Sequence, residues 1–131
     1  MTATPESFKI AWMDSLKAQP TLVAVVGKEI RETEYQSTDW LYPNVRVALE
    51  FHPSIIRCGP DDADVDIEVY SEEKSSKEAD HIASLIYSLY QGKPFESNGI
   101  KFSTVIVRKV TKPERTIFSW VVVVKVFCQG V

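Results

Sequence analysis

The chain has 131 residues, 44% of them hydrophobic and 25% charged, with a net charge of −3 and a pI near 5.4. This length supports one hydrophobic core, and the ordinary composition excludes disorder, fibrous repeats and a disulfide-dense scaffold, so we expect a single domain over residues 1–131. The acidic balance removes the diffuse attraction to phosphate on which non-specific nucleic-acid and anionic-membrane binding depend.

Export and membrane insertion are not indicated either. The first residues lack a basic segment followed by an apolar one, so we expect no secretory signal. The longest apolar run, 121–124, is far shorter than the roughly 20 residues that span a bilayer, so we expect no membrane segment. Cys58 and Cys128 lack zinc or redox spacing, which favours two free thiols in a reducing compartment, with a bridge between them as the alternative.

The N-terminal part predicts two helices and a short strand. Thr4 and Pro5 form an N-cap followed by proline at the first helical position, and apolar residues then recur at helical spacing to about residue 18. Pro20 ends this helix. Residues 21–26 predict a short second helix, and 28–31 a short strand.

A long loop at 33–43 follows, carrying three large aromatic side chains, Tyr35, Trp40 and Tyr42. An exposed aromatic cluster is otherwise an aggregation hazard, so the loop either packs back on the domain or docks on another protein. These three residues are therefore candidates for docking a partner.

Strict alternation predicts strands at 44–51 and 64–70. The second strand turns Asp64, Asp66 and Glu68 to the face opposite its apolar residues. A solvated surface is the simple interpretation of this acidic row. In a ring, the row repeated by symmetry would instead line a channel along which a polyanion slides without sticking.

The main helix is predicted at 76–91, with a buried apolar stripe. Ser75 and Glu78 fit a capping box, and Gly92 followed by Pro94 supplies a left-handed stop.

The C-terminal part predicts a hairpin and a long last strand. Asn98-Gly99 favours a type I′ turn between 95–97 and 100–110, and a turn at 111–115 precedes a strand at 117–128. This last strand is apolar on both faces. One face carries Phe118, Trp120, Val122, Val124 and Val126, and the other carries Ile117, Val121, Val123 and Phe127.

The fold expected from these elements is α+β, with a mainly antiparallel sheet and two main helices packed on one face. A strand that is apolar on both faces needs cover on both. Either loops and the segment 21–26 cover the second face, or a neighbouring subunit does. In the second case Val121, Val123 and Phe127 are candidate subunit contacts.

Motifs for catalysis or metal binding are weak. His52 and His81 lack a neighbouring nucleophile or orienting group. Ser71-Glu72-Glu73-Lys74 has Ser-x-x-Lys spacing without the accompanying signatures. The acidic residues from 62 onward imitate a calcium loop, but Ile67 occupies the position that requires glycine. We therefore expect no enzymatic activity, no cofactor and no metal.

The order of several short segments carries a resemblance. After the first helix come QPTL at 19–22, VGKEI at 26–30, YPNVRV at 42–47 and VDIEVY at 65–70, and then the helix at 78–89 and two closing strands. In this order they resemble the tail terminator (tail completion) proteins of long-tailed bacteriophages. The resemblance covers nearly the whole chain and rests on the order of its motifs.

The resemblance implies a ring-forming virion protein. Such a homohexamer caps the tail tube, ends its polymerisation and joins the tail to the neck, while DNA passes through without specific binding. Its partners would be copies of itself, the tube protein and a neck or head-completion protein, at the head-proximal end of the tail, with assembly in the host cytoplasm. The last strand would then be the subunit contact, the aromatic loop the docking surface and the acidic row the channel wall. The alternatives are another neck or connector ring protein, or a small non-enzymatic oligomeric binding module.

Overall fold

The helices and strands alternate in small groups along the chain. The computed structural model describes residues 4–27, 29–33, 40–52 and 62–130, apart from the side chains of Pro5, Phe51 and His52. Within these ranges the helices are α1 (Pro5–Lys17), α2 (Pro20–Val26) and α3 (Lys77–Tyr90). The strands are β1 (Ile30–Glu32), β2 (Asn44–His52), β3 (Asp62–Ser71), β4 (Phe95–Ser97), β5 (Ile100–Val110), β6 (Glu114–Arg115) and β7 (Trp120–Gly130).

One sheet contains all of these strands, in the order β1-β2-β3-β7-β5-β4, with β6 paired to the start of β7. β1 runs parallel to β2, and the other described pairs are antiparallel. The sheet is therefore mixed, although antiparallel pairing dominates. The expected α+β fold of one domain, with its main helices on one face of the sheet, is confirmed.

The first helix begins as its sequence predicts. The Thr4 hydroxyl accepts the Ser7 backbone N–H (3.1 Å), and the Ser7 hydroxyl accepts the Thr4 backbone N–H (2.8 Å). This reciprocal pair satisfies donors that have no partner inside the helix.

The predicted capping box of α3 is wrong. The helix begins at Lys77, and its N-cap residue Ser76 makes no side-chain capping bond. Glu78 instead accepts a hydrogen bond from the hydroxyl of Ser71 (2.8 Å), which is buried at the end of β3. Glu78 is one position too early in the helix to complete the box, so its carboxylate ties the start of α3 to the sheet.

The core lies between the helices and one face of the sheet, which we call the helical face. Trp12 on α1 is fully buried there, with ring centroids 4.6 Å from Phe95 and 4.8 Å from Tyr90. α2 packs against both α1 and α3 and contributes Leu22 and Val26 to the same core. The segment 21–26 therefore does not cover the second face of the sheet, and this part of the expectation is wrong. The loop residues 34–39 and 53–61 lie outside the described structure.

The hairpin between β4 and β5 is confirmed. Asn98 and Gly99 both have positive φ, 53° and 77°, as a type I′ turn requires. Because the turn fixes the register, Phe95 lies opposite Phe102 on the helical face, where both are buried.

The last strand begins later than predicted. β7 starts at Trp120, and β6 within the predicted turn at 111–115 pairs with it, so Ile117 and Phe118 belong to neither strand face. Hydrogen bonds between Thr116 and Ser119 close a turn around these two residues. The assignment of Ile117 and Phe118 to opposite faces of a strand is therefore wrong.

Candidate assembly surface

The second face of the sheet, which we call the open face, is crossed by none of the described helices. Strand register decides which side chains share it, because residues directly opposite each other in an antiparallel pair point the same way. Its central members are Arg46, Glu50, Asp64, Asp66, Glu68, Tyr70, Val121, Val123, Lys125, Phe127, Ile106 and Lys109.

The acidic row and the apolar residues of β7 lie side by side on this face. Asp64 pairs with Phe127, and Glu68 pairs with Val123. The sequence indicated two surfaces with two roles. The structure brings them together on adjacent strands, about 4.8 Å apart in the direction of the backbone hydrogen bonds.

Cations on β7 and β5 contact two of the three row carboxylates. Lys125 Nζ lies 3.6 Å from an Asp66 oxygen, and an Arg108 nitrogen lies 3.9 Å from an Asp64 oxygen. These side chains are substantially exposed, so each pair contributes no more than about 1 kcal/mol. The contacts nonetheless reduce the negative potential of the row.

Val121, Val123 and Phe127 are half-buried, although no described helix covers them. The Arg108 guanidinium lies over the Phe127 ring, 4.3 Å from its centroid, and shelters part of it. Ile106, opposite Phe127 on β5, remains 38% exposed. The middle of the open face is thus an apolar strip with partial cover from long charged side chains, which a protein partner can displace.

Charges of both signs surround this apolar strip. Acidic side chains lie on β2 and β3, namely Glu50, Asp64, Asp66 and Glu68. Basic side chains lie on β7 and β5, namely Lys125, Arg108 and Lys109, and Arg46 on β2 adds a positive charge opposite Glu68. An apolar centre with a charged surround is the usual anatomy of a protein contact, in which complementary charges fix register and orientation.

The described end of the aromatic loop packs back on the open face. The Arg46 guanidinium lies between the Trp40 ring (4.0 Å) and the Tyr70 ring (3.8 Å). Asn44 Oδ1 accepts the Arg46 Nε–H at 3.1 Å, and Asn44 Nδ2 donates to the Leu41 carbonyl oxygen at 3.0 Å. Trp40 therefore anchors the described end of the loop.

The other members of this loop are placed differently. Tyr42 is half-buried, and Leu41 between the two aromatic residues is 65% exposed. Tyr35 lies outside the described residues.

Tyr70 on β3, which the Arg46 guanidinium contacts, is affected by its surroundings. Burial raises the pKa of Tyr70, and the neighbouring Glu68 carboxylate raises it further. Sequence reasoning missed Arg46, whose position between two aromatic rings follows from a loop and a strand that meet only in the fold.

A short protruding turn, which we call the apolar tip, connects β6 to β7. The Thr116 backbone N–H donates to the Ser119 carbonyl oxygen (2.7 Å), and the Ser119 N–H donates to Thr116 Oγ1 (3.0 Å). The residues between them, Ile117 and Phe118, are 86% and 77% exposed. Large apolar residues held in this way by a closed turn are available for contact with another molecule.

On the side of the helices, an open cleft of about 580 Å³ lies between α1 and β1, which we call the α1–β1 cleft. Its apolar lining comprises Ile10, Met13, Ile30 and Leu49, and its polar lining comprises Glu6, Lys9, Lys17, Arg31 and Glu32. Lys9 and Glu32 form an ion pair across it, 3.5 Å apart.

The candidate chemical groups do not converge on a site. His81 is exposed on α3, the His52 side chain and Cys58 lie outside the described structure, and the thiol of Cys128 is free and buried. Burial raises the pKa of Cys128 to about 12, so this thiol stays protonated and unreactive. The described residues contain no group of three or more His, Cys, Asp or Glu side chains that could hold a metal.

None of the described helices is long and apolar enough to cross a membrane.

Comparison with known proteins gives structural matches only. No protein-family model and no curated protein matches the chain. A chain from the virion of a native gene transfer agent particle has the same fold, with a TM-score of 0.81 and 13% identity, over 99% of this chain and 98% of its own length. A second solved chain matches with a TM-score of 0.64 and 15% identity, over 96% and 92% respectively. At these identities the likeness establishes the fold over nearly the full length.

Proposed function

We propose that this chain is a structural protein of a phage-like virion that assembles with copies of itself into a ring. The open face carries this proposal, because it places an apolar strip among charges of both signs and none of the described helices covers it. The full-length likeness to a chain of a gene transfer agent virion supports a place in such a particle. No catalytic step and no cofactor is part of the proposal.

Within the virion we propose the role of tail terminator. Six copies would form a ring on the head-proximal end of the tail tube, end its polymerisation and join it to a neck or head-completion protein. The order of segments in the sequence supports this role over that of another neck or connector ring. The likeness to the virion chain is compatible with both.

The register suggests how one face serves two roles. A neighbouring subunit would cover the half of the open face formed by β7 and β5, with Val121, Val123 and Phe127 in the contact. Asp64, Asp66 and Glu68 on β3 would lie at the edge of this contact and face the channel. Like charges along the channel wall repel the DNA backbone, so DNA would pass without specific binding.

The aromatic loop remains the proposed docking segment for the tube or neck protein. Trp40 is engaged by Arg46 within the chain, so Leu41 and Tyr42 would supply the apolar contact, together with Tyr35.

Electron microscopy of the purified protein tests the ring directly, together with native mass spectrometry. We expect particles with a central hole and a stoichiometry of six, or monomers that become sixfold rings only on added tail tubes. A stable dimer under both conditions would contradict the ring. A ring that binds purified neck complexes but leaves tube length unchanged would favour the connector role.

Charge reversal tests the channel wall. We expect Asp64, Asp66 and Glu68 changed together to Lys to lower infectivity in particles whose rings are seen by electron microscopy, because the wall would then attract DNA. The matched control changes three exposed acids elsewhere, Glu72, Glu73 and Asp80, by the same total charge. Equal infectivity of the two triple variants would show that the acidic row is an ordinary solvated surface and not a channel wall.

A further inference from the structure

A closed ring with one kind of subunit requires two different contact surfaces on each copy, since head-to-tail contacts join unlike patches. The open face and the apolar tip beside it supply one surface. The proposed function leaves the second surface unnamed. Two concave candidates on the side of the helices lie in the described part of the chain: the α1–β1 cleft, and a smaller cleft of about 380 Å³ between α3 and Val110. The α1–β1 cleft is the larger of these two, and its lining carries charges of both signs.

We infer that the apolar tip of one copy inserts Ile117 and Phe118 into the α1–β1 cleft of the next copy. This inference rests on the proposed self-assembly and names the surface that receives it. The tip lies beyond the start of β7 near the middle of the sheet, whereas the cleft lies at the β1 edge. The two features therefore meet between copies, and every copy can give one contact and receive one.

The cleft has the volume and the apolar lining to receive the tip. A volume of about 580 Å³ lies in the range of roughly 300 to 1,000 Å³ that holds drug-sized ligands, so two large side chains fit. Ile10 is 42% exposed and, with Met13 and Leu49, gives the cleft an apolar lining that loses water when the tip enters.

The margins of both features carry charges of both signs. Glu6 and Lys17 lie near opposite ends of α1 on the margin of the cleft, and exposed Glu114 and Arg115 on β6 directly precede the tip. Pairs of opposite charge can therefore form between copies. Such contacts at the rim favour one register and contribute little affinity.

The tip is preorganised for insertion. The hydrogen bonds between Thr116 and Ser119 fix the turn, and the pairing of Glu114 with Val121 fixes its base on β7. A rigid turn loses little conformational freedom on binding, so more of the apolar contact energy remains for affinity. A central apolar anchor of this kind typically dominates an interface.

Cysteine cross-linking between copies tests the inference. In a Cys58→Ser background, leaving only the buried Cys128, we would mix a chain carrying Ile117→Cys with a chain carrying Met13→Cys and oxidise with diamide. We expect a disulfide-linked pair of unlike chains. The control replaces Met13→Cys with His81→Cys on the exposed side of α3, which should not link. Absence of the first link, or equal linking in the control, overturns the inference.

Loss of the anchor gives a second readout. The double change Ile117→Ser and Phe118→Ser should weaken assembly at least about tenfold, because an interface anchor is removed. Tyr87→Ser, at a half-exposed aromatic on α3, is the matched control and should assemble normally. A tip variant that assembles as well as the unchanged protein overturns the inference.

A chain carrying both Ile117→Cys and Met13→Cys tests the contact of tip and cleft separately from the closed ring. Oxidation should give a ladder of linked species that stops at six copies. A ladder that runs well beyond six keeps the contact of tip and cleft but refutes the closed ring. Rings of six in the microscope without any ladder keep the ring and refute the contact.

Discussion

The two faces of the sheet differ although the same strands build both. On the helical face the side chains of β3 and β7 are apolar and 0% to 2% exposed, namely Val65, Ile67, Val69, Val122, Val124 and Val126. On the open face the alternate positions carry carboxylates, a lysine and half-buried apolar residues. Folding and assembly therefore depend on alternate positions of the same strands, so substitutions can separate them.

The largest expected difference in the free energy of unfolding is between substitutions at two neighbouring residues of β7, one on each face of the sheet. Val124→Lys places a charge in the core opposite Ile67 and should cost several kcal/mol, enough to unfold the chain. Val123→Lys lies opposite Glu68 on the open face and should change the free energy of unfolding by less than about 1 kcal/mol while abolishing assembly. Urea denaturation, followed by circular dichroism, measures the free energy of unfolding of both variants. Native mass spectrometry measures their assembly.

Phe127→Lys also introduces a lysine on the open face. Like Val123→Lys, it should fold normally and fail to assemble. Global unfolding of both variants would show that the open face belongs to the core of the monomer.

A titration tests burial on the helical face. Burial raises the pKa of Cys128 from 9.0 to about 12, so the unfolded chain loses the thiol proton first as pH rises. Stability should therefore be full below about pH 9 and should fall by up to about 4 kcal/mol towards pH 12.

The control is Cys128→Ala, which should remove this part of the loss. A decline above pH 10.0 should remain, because burial also raises the pKa values of Tyr70 and Tyr90. Identical pH profiles of urea unfolding for the two proteins would contradict the burial of the thiol.

A smaller effect is expected on the open face at Arg46. Arg46→Ala removes a guanidinium from between Trp40 and Tyr70 and should cost about 1 to 2 kcal/mol in urea denaturation. Arg46→Lys retains the charge but not the planar stack, so it should restore only part of the loss. Full restoration by lysine would mean that charge alone holds the loop.

The smallest effect is expected at an ion pair on the open face. Lys125→Ala removes the partner of Asp66 and should cost less than about 1 kcal/mol, and less still in high salt. A cost that persists unchanged in high salt would show that the lysine stem, rather than its charge, protects the apolar strip.

Local patterns explain which expectations succeeded. Alternation along β2 and β3, the proline at the start of α1 and the Asn98-Gly99 turn each depend on neighbours within a few residues. The capping box failed because α3 begins at Lys77, one residue later than the box requires, and Glu78 binds Ser71 at the end of β3 instead. The position of the apolar tip was missed because an apolar run favours a strand, whereas bonds between Thr116 and Ser119 close a turn.

The composition of the open face could not be predicted in the same way. Each strand shows its own alternation, but the sequence does not say which strands are neighbours or in what register. Only pairing in the fold places Glu68 beside Val123, and Arg46 between two aromatic rings. The acidic row was therefore recognised, whereas its cation partners and its closeness to the apolar strip were not.

The position of β7 between β3 and β5 has a consequence for synthesis on the ribosome. While translation has reached only β5, the nascent polypeptide holds two sheet fragments that lack the strand joining them. Each fragment then presents an unpaired edge to other nascent chains, a situation that promotes aggregation. Rapid elongation through the last strand, or a chaperone that covers those edges, would therefore raise the yield of folded protein in a host cell.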